Sequence, residues 1–390
     1  MNSVLSPVRT SSSSLVDANV GAMPRMALLG SGTVGQAFVA RYRRLRGAGI
    51  ALPDLVLLAN SRGACDAGGD PSAELARIAA LPRREALARP PDVEPMAGGD
   101  IVVDATASDD VAACHADWLE RGVHVATANK LGSGGELRRA LAIEHAIRES
   151  GARYGDSATV GAGLPLLKSI RDLVAGGDRI HVIEGVLSGS LAWLFDRFDG
   201  MRPFSGFVRE ARAAGYTEPD PRIDLSGEDV RRKLLLLARA AGVPLEAGRV
   251  RVESLVPGAL SDAAEHQIDA RLPALDAPLR SRYQQAWRDS ARLRFVGRFE
   301  IDDSGAWHAN VGLRALPASH PLCGGSGTDN RVAIHSCRYR VQPLVIQGPG
   351  AGADVTAAAL LDDVLRIARD TEARGRHRAW SGAGASNASR

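Results

Sequence analysis

The first 130 residues of the chain alternate short apolar runs with stretches whose apolar residues recur at helical spacing. The runs lack polar alternation, which is typical of strands buried on both faces of a sheet. Strands that alternate with helices in this way predict a parallel sheet with crossover helices. The predicted strands cover residues 25–29, 54–59, 100–106 and 123–127, and the predicted helices cover residues 36–45 and 109–121.

The pattern changes after about residue 155. A helix at 164–175 precedes a strand at 179–187, and two longer runs flank Asp303-Ser304-Gly305, which predicts a hairpin. We therefore expect a second sheet of antiparallel or mixed type. Its remaining strands are predicted at 293–301, 307–316, 331–335 and 340–347, and a last helix at 354–369.

The composition excludes several classes of protein. Hydrophobic residues make up 45 % of the 390 residues, enough for a sizeable core. The net charge is only +3 and the basic residues form no long cluster, so we expect no nucleic-acid partner. No apolar run approaches the length of a membrane span, so we expect no membrane partner. The four cysteines lack zinc-site spacing, which favours reduced thiols in a cytoplasmic protein.

A glycine-rich turn follows the first predicted strand and opens a helix. Gly30, Gly32 and Gly35 have the spacing of a dinucleotide fingerprint, with Thr33 and Val34 inside the turn. The first glycine allows the tight turn, the second lets a pyrophosphate approach the backbone, and the third lets helix and strand pack closely. This motif, in this context, predicts dinucleotide binding.

The residues at the end of the second predicted strand indicate whether the dinucleotide is NAD or NADP. An acidic residue there would favour NAD, because it accepts a hydrogen bond from the ribose 2′-hydroxyl. The strand instead ends in Ala59-Asn-Ser-Arg62, with no acid and one arginine. We expect Arg62 to contact a 2′-phosphate, so that NADP is the cofactor, with NAD as the alternative. A solvated loop charge remains the other reading of Arg62.

Lysine is rare in this chain. Lys130, Lys168 and Lys233 are its only lysines, and the other basic residues are arginine. Such usage favours lysine where a compact, titratable ammonium is needed. Lys130 follows a strand of the first predicted sheet, where ligands of open α/β sheets bind. A surface lysine is the alternative reading.

The most distinctive segment surrounds Lys233. An acidic loop contains Glu218 and Asp224, and a helix predicted to start at Ser226 places Asp229 one turn before Lys233. Ser226 and Asp229 fit a variant of the capping box. Lys233 falls on the apolar stripe of this helix, and a buried ammonium needs carboxylates around it. The alternative is a surface ion pair with a capping role.

Together these segments resemble homoserine dehydrogenase over roughly residues 26–369. The glycine-rich turn alone is generic, whereas the Gly-Tyr-Thr-Glu-Pro-Asp-Pro run is highly specific. The matching motifs are Gly30-Ser-Gly-Thr-Val-Gly35, Val103-Asp-Ala-Thr106, Ala128-Asn-Lys130, Ala158-Thr-Val-Gly-Ala-Gly-Leu-Pro165, Gly185-Val-Leu-Ser-Gly-Ser190, Gly215-Tyr-Thr-Glu-Pro-Asp-Pro221, the stretch from Asp224-Leu-Ser-Gly to Lys233, and Gly350-Ala-Gly352.

The resemblance implies a reversible reaction in the biosynthesis of threonine, methionine and isoleucine. L-Aspartate 4-semialdehyde would be reduced to L-homoserine, with Lys233 as proton donor. The same resemblance assigns the other roles. Glu218 and Asp229 would bind the small-molecule substrate, Asp224 would line the site, Lys130 would serve the active site and the cofactor, and Thr106, Gly350 and Gly352 would contact the cofactor. By our own inference, the Ser188-Gly189-Ser190 turn would supply N–H groups to the substrate carboxylate.

The family also binds a monovalent cation through backbone carbonyls and one acidic side chain. The carbonyl positions correspond to Val160, Ala162 and Leu164, but the acidic position is Ser157 here. A serine hydroxyl brings no charge, so sodium or potassium is one expectation and a water molecule in its place the other.

The resemblance implies an α/β architecture with a Rossmann-type parallel sheet in a dinucleotide-binding domain, plus an α+β substrate-binding and dimerisation domain. The last helix would return to the first domain, and the protein would form a homodimer. It resembles the monofunctional, short form, without a kinase or C-terminal regulatory domain. The expected parts are a disordered extension at 1–24, the dinucleotide-binding domain at 25–155 with 348–370, the second domain at 156–347, and a disordered tail at 371–390.

Two other functions remain open at this point. A Rossmann dehydrogenase of another amino acid or semialdehyde would use the acidic loop differently. A non-catalytic NADP-binding regulator would not need the lysine and carboxylates. Substrate comparison and a turnover assay separate the three.

Overall fold

The structure is a computed structural model that describes residues 23–82, 96–302 and 304–386, with side chains as far as Thr371. Most of the extension expected at 1–24 lies outside the described residues. The strands are β1 Arg25–Leu29, β2 Asp54–Asn60, β3 Gly63–Asp66, β4 Ile101–Asp104, β5 His124–Thr127, β6 Tyr154–Gly155, β7 Ile180–Val186, β8 Val250–Val252, β9 Ala291–Ile301, β10 Trp307–Pro317, β11 Asp329–Ser336 and β12 Leu344–Pro349. The α-helices are α1 Thr33–Gly47, α2 Pro71–Ala80, α3 Asp109–Ala113, α4 His115–Glu120, α5 Leu131–Gly134, α6 Leu137–Ser150, α7 Leu166–Ala175, α8 Gly189–Arg197, α9 Phe204–Ala213, α10 Pro221–Leu225, α11 Glu228–Ala240, α12 Gly258–Ser261, α13 Ile268–Arg271, α14 Asp276–Arg288 and α15 Ala353–Ser386.

The first sheet has the order β3-β2-β1-β4-β5-β6, and all its pairs are parallel except β2–β3. The predicted parallel sheet is thus confirmed. Its strands are buried on both faces: Met26 and Leu28 of β1 join one core cluster, while Ala27 and Leu29 join another. Double-sided burial explains the uninterrupted apolar runs. The strand order reverses between β1 and β4, which opens a crevice at their carboxyl ends.

The second sheet has the order β12-β11-β7-β9-β10-β8 and is mixed, because β8 pairs parallel to β10 while the other pairs are antiparallel. The predicted hairpin is confirmed as β9 and β10. The largest core cluster lies against one face of this sheet and includes Leu234 of α11 and Phe295 of β9. Helix α11 is therefore anchored on the second sheet, and it carries Lys233.

The last helix returns to the first sheet, as expected. Leu360 and Val364 of α15 share a core cluster with Phe38 of α1. Helix α15 continues past residue 371, where a disordered tail is predicted, as far as Ser386, and residues 387–390 lie outside the described residues. The residues after 370 include alanine, arginine and glutamate, which favour a helix, and also Gly375, Gly382 and Gly384, which weaken it. Within the described ranges, no helix is long and apolar enough to cross a bilayer.

Candidate active site

A cavity of about 420 Å³ lies in the crevice at the carboxyl ends of β1 and β4. Its position matches the ligand site of open α/β sheets. Gly30 ends β1 with φ +109°, and a Cβ there would lie 2.8 Å from the Ala105 carbonyl oxygen. The cavity is lined by Leu29, Gly30, Ser31, Gly32, Ala59, Asn60, Ser61, Ala105, Thr106, Ala107, Ser108, Asp110 and Val111.

The other two glycines of the motif have different roles. A Cβ on Gly35 would lie 2.0 Å from the Gly30 carbonyl oxygen, so Gly35 is required for α1 to pack against the turn. A Cβ on Gly32 would meet nothing within 4 Å. Gly32 is also the N-cap of α1 without a side-chain capping bond, which leaves the N–H groups of Thr33 and Val34 in the first turn for an anion. The space at Gly32 therefore suits a ligand.

Replacing Gly32 by alanine should weaken dinucleotide binding and leave the fold intact. Gly32 has φ −75°, which alanine adopts readily, so we expect an unchanged Tm. The added methyl group occupies the space a pyrophosphate needs, so the Kd for NADPH, measured by fluorescence titration, should rise roughly tenfold or more. Gly248→Ala, also in open space, is the matched control. An unchanged Kd for Gly32→Ala would contradict this role.

Arg62 does not line this cavity. Its guanidinium donates to the Ala79 carbonyl, while its backbone N–H donates to Asn60 Oδ1 at 2.7 Å. Asn60 itself donates to Ser31 Oγ at 2.8 Å and lines the cavity with Ser61. The contact of Arg62 with a 2′-phosphate stays a prediction, and it requires the guanidinium to leave Ala79.

Lys130, Asp229 and Lys233 come together across the two sheets. Asp229 Oδ1 lies 2.8 Å from Lys130 Nζ, and its Oδ2 lies 2.9 Å from Lys233 Nζ. Lys130 follows β5, whereas Asp229 and Lys233 lie one turn apart on α11. Lys233 also donates to the Leu187 carbonyl at 2.7 Å. A single carboxylate therefore joins the ammonium groups of two different sheets.

Burial dominates the electrostatics of this cluster. The Lys233 side chain is only 7 % exposed, whereas Asp229 and Lys130 are each 36 % exposed. Burial lowers the pKa of Lys233, although Asp229 partly opposes this shift. Burial alone would raise the pKa of Asp229, but the two ammonium groups outweigh it and hold that pKa below its usual range. The predicted burial of Lys233 is confirmed.

The predicted capping box at Ser226 is wrong. Helix α11 begins at Glu228, and its N-cap is Gly227 in a left-handed conformation with φ +80°. A Cβ on Gly227 would lie 2.9 Å from the Phe295 ring, so the close approach requires glycine. Ser226 follows α10, donates its hydroxyl to the Ile223 carbonyl at 2.7 Å and accepts the Glu228 N–H at 3.2 Å. Asp229 is therefore free to contact the two lysines.

The acidic loop is organised around Asp224. Its carboxylate accepts hydrogen bonds from Ser190 Oγ at 2.7 Å and from the Glu218 backbone N–H at 2.9 Å. Glu218 itself is exposed. Ser188 Oγ accepts the Leu191 N–H and so caps α8. The contact between Ser190 and Asp224 was not predicted, because the two residues lie on separate helices.

The turn that matches the family's cation site contains three residues with positive φ: Gly161, Ala162 and Gly163. Ser157 does not stand alone there, since both its N–H and its Oγ donate to Asp363 of α15, at 2.9 and 2.8 Å. Asp363 in turn pairs with Arg366.

The nearby Asp156 is also occupied, because Arg171 binds both its carboxylate oxygens, at 2.7 and 2.6 Å. No cluster of three or more described histidine, cysteine, aspartate or glutamate side chains could hold a metal ion. A cation held by Ser157, Val160, Ala162 and Leu164 would thus have neutral oxygens only, so these residues fit an alkali ion weakly.

Gly350 and Gly352 lie between β12 and α15. A Cβ on Gly350 would lie 1.9 Å from Asn330 Oδ1, so this glycine is required for packing. Gly352 has φ +129° and directly precedes α15. Their contact with a cofactor stays a prediction.

Two family models match the chain. The model described as homoserine dehydrogenase matches residues 165–365, and the homoserine dehydrogenase NAD-binding domain matches residues 30–155. The two ranges correspond to the two sheets.

Curated relatives fall into two kinds. The chloroplastic bifunctional aspartokinase/homoserine dehydrogenase 1 of Arabidopsis thaliana is 44 % identical over 69 % of this chain, but the match spans only 29 % of that protein. The homoserine dehydrogenase of Emericella nidulans is 34 % identical over 88 % of this chain and 97 % of its own length.

Solved structures share the fold. A Candida auris protein of unknown function has a TM-score of 0.76 and 32 % identity, and covers 89 % of this chain and 98 % of its own. A hyperthermophilic archaeal homoserine dehydrogenase in complex with NADPH has a TM-score of 0.65 at 19 % identity, covering 89 % and 98 %.

Proposed function

This chain belongs to the homoserine dehydrogenase family, and from that membership we propose that it catalyses the reversible NAD(P)H-dependent reduction of L-aspartate 4-semialdehyde to L-homoserine. The observation that carries the proposal is the carboxylate of Asp229, which joins Lys130 after β5 to the buried Lys233 of α11. Lys233, the proposed proton donor, is thereby held beside Lys130, which lies at the ligand-binding edge of the first sheet.

The chemistry needs an acid beside the aldehyde. A bound dinucleotide would supply the hydride that adds to the aldehyde carbon. The carbonyl oxygen then carries negative charge, which the Lys233 ammonium stabilises and neutralises by giving up one proton from Nζ. In the reverse direction the neutral amine takes the hydroxyl proton. The lowered pKa of Lys233 suits both directions, because the proton leaves more readily than from an exposed lysine.

The acidic residues match the rest of the substrate. Its α-ammonium group requires carboxylates, and Glu218 and Asp229 are the groups we assign to it. Asp224 fixes the backbone of Glu218 at 2.9 Å and lines the same site. The hydroxyls of Ser188 and Ser190 lie 2.9 Å apart, and Ser190 also binds Asp224, so both hydroxyls already have partners. We therefore assign the substrate α-carboxylate to the first N–H groups of α8.

We assign NADP as the preferred cofactor, with NAD as a weaker one. The end of β2 carries Asn60, Ser61 and Arg62, so no acid at that strand end repels a 2′-phosphate. The archaeal relative described above contains NADPH.

We also propose a cytoplasmic homodimer. The four cysteines are free thiols, as expected in a reducing compartment. The family resemblance supports the dimer.

The test is the initial rate of L-homoserine oxidation, followed by the absorbance of the reduced cofactor. We expect turnover with L-homoserine, little with L-serine, and a higher kcat/KM with NADP than with NAD. Because the ligands for a cation are neutral here, exchanging sodium or potassium chloride for N-methylglucamine chloride should change the rate by less than about twofold. Turnover of another hydroxy amino acid in preference to L-homoserine would favour a different dehydrogenase, and no turnover with any would favour a regulator.

A further inference from the structure

A buried row of polar side chains lies beneath the loop that forms one wall of the dinucleotide cavity. His115 of α4 and Asp104 at the end of β4 are both fully buried. His115 Nε2 lies 2.9 Å from Asp104 Oδ2, and His115 Nδ1 lies 3.0 Å from the Tyr154 hydroxyl. Neither the glycine motif nor the lysine cluster includes these residues, and buried polar groups of this kind require an explanation.

The other oxygen of Asp104 holds the cavity wall. Asp104 Oδ1 accepts the backbone N–H of Thr106 at 2.9 Å and its hydroxyl at 2.7 Å. The Thr106 hydroxyl in turn accepts the Ser108 N–H at 3.2 Å. Residues 105–108 all line the cavity. The shape of this wall therefore depends on where the Asp104 carboxylate lies.

The hydrogen bonds around His115 have a defined direction. Asp104 is a carboxylate acceptor of two hydrogen bonds from Thr106, so Nε2 of His115 is the donor to its other oxygen. In the neutral imidazole Tyr154 then donates its hydroxyl proton to Nδ1, and burial raises the pKa of this tyrosine, which keeps it protonated. Gly132 leaves room for this pair, because a Cβ there would lie 2.4 Å from the Tyr154 hydroxyl. The tautomer and the ring orientation of His115 are thus fixed from both sides.

The same row reaches the lysine cluster. Asn129 Nδ2 donates to the Ser108 carbonyl at 2.8 Å and approaches Thr106 Oγ1 at 3.4 Å. Asn129 directly precedes Lys130, whose ammonium binds Asp229 at 2.8 Å. Asn129 therefore ties the 105–108 wall to the segment that carries Lys130, while the Lys130 ammonium keeps its own partner on α11.

We propose that His115 is a positioning residue for cofactor binding: by holding Asp104 it fixes Thr106 and the 105–108 wall in the shape that receives the dinucleotide. Any buried histidine needs hydrogen-bond partners, so the distinguishing feature of His115 is that its partner Asp104 also holds Thr106 of the cavity wall. Without the Nε2 donor, Asp104 Oδ2 is left with the longer contact from the Thr127 hydroxyl at 3.4 Å. The buried carboxylate then gains from shifting toward a better donor, and a shift takes Thr106 with it. The inference rests on the proposed function only in taking the cavity as the dinucleotide site.

The experiment compares His115→Leu with His115→Gln in the full chain. The leucine variant removes the donor, so the Kd for NADPH should rise about tenfold to hundredfold, while kcat at saturating cofactor stays within about threefold. Glutamine keeps an N–H donor at a similar reach, so it should restore binding to within about threefold of the unmodified protein. His145→Leu, the same change at an exposed histidine of α6, is the matched control.

The outcomes separate this inference from the function. NADPH binding is measured by fluorescence titration without substrate, so a protein that binds NADPH but turns over no homoserine refutes the proposed function only. A folded His115→Leu that binds NADPH normally, or a His115→Gln as weak as the leucine variant, would overturn the positioning role. If His115→Leu fails to fold, Tyr154→Phe decides in its place. That variant frees Nδ1 and should raise the Kd for NADPH by a smaller factor of roughly threefold, and an unchanged Kd would overturn the proposal.

Discussion

Replacing Lys233 by methionine should lower turnover by roughly 10²–10⁴-fold, the usual contribution of a general acid, and leave the Kd for NADPH nearly unchanged. Methionine keeps most of the volume of the buried side chain and removes its ammonium. The oxygen of the aldehyde then has no proton donor, whereas the cofactor cavity between β1 and β4 loses no contact. The measurement is kcat for L-homoserine oxidation together with the Kd for NADPH.

The control for this variant is Lys168→Met on α7, since Lys168 is 60 % exposed and pairs with Asp172 on its own helix. We expect that variant to keep full activity. If Lys233→Met also keeps its turnover, Lys233 is not the acid, and Lys130 becomes the candidate.

Replacing Asp229 by asparagine should lower kcat/KM for the semialdehyde by about 10²-fold at neutral pH. The Lys233 ammonium would then be buried without its carboxylate and would face the Lys130 ammonium directly. Since Asp229 raises the pKa of Lys233 and Lys130 lowers it, the variant's Lys233 should have a still lower pKa. The substrate ammonium would lose a partner as well, so KM should rise.

The pH dependence of the rate shows in which direction the pKa of Lys233 moves in Asp229→Asn. Aldehyde reduction needs the charged ammonium, so its rate falls as the pH rises through the pKa of Lys233. In Asp229→Asn this fall should occur at lower pH than in the unmodified protein, and the rise of homoserine oxidation should move the same way. Glu228→Gln, beside it in the first turn of α11 and paired with Arg231, is the matched control. A profile that stays in place or moves to higher pH would refute the assigned electrostatics.

The sequence predicted the first sheet well because its signals are local. Gly30 and Gly35 have backbone and packing requirements that few other residues meet, and double-sided burial makes each strand an uninterrupted apolar run. The burial of Lys233 was predictable for a similar reason, since it follows from the apolar stripe of a single helix.

The contacts that the sequence did not reveal all join distant segments. Lys130 and Asp229 are 99 residues apart, and Ser157 and Asp363 are 206 residues apart. Helix α11 starts later than the capping box predicts because Gly227 is left-handed, and this glycine packs against Phe295 of a remote strand. A pattern read along one helix cannot contain a constraint imposed by another element.

The central claim, that the Lys233 amine donates and accepts the proton, is tested most directly by chemical rescue of Lys233→Ala. The shortened side chain leaves space for a small amine in the buried pocket beside Asp229 and the Leu187 carbonyl. We predict that ethylamine and propylamine restore homoserine oxidation in proportion to the concentration of the free amine, while tetramethylammonium, a cation with no proton to exchange, restores nothing. Equal rescue by tetramethylammonium, or no rescue by any amine in a folded variant that binds NADPH, would contradict the claim.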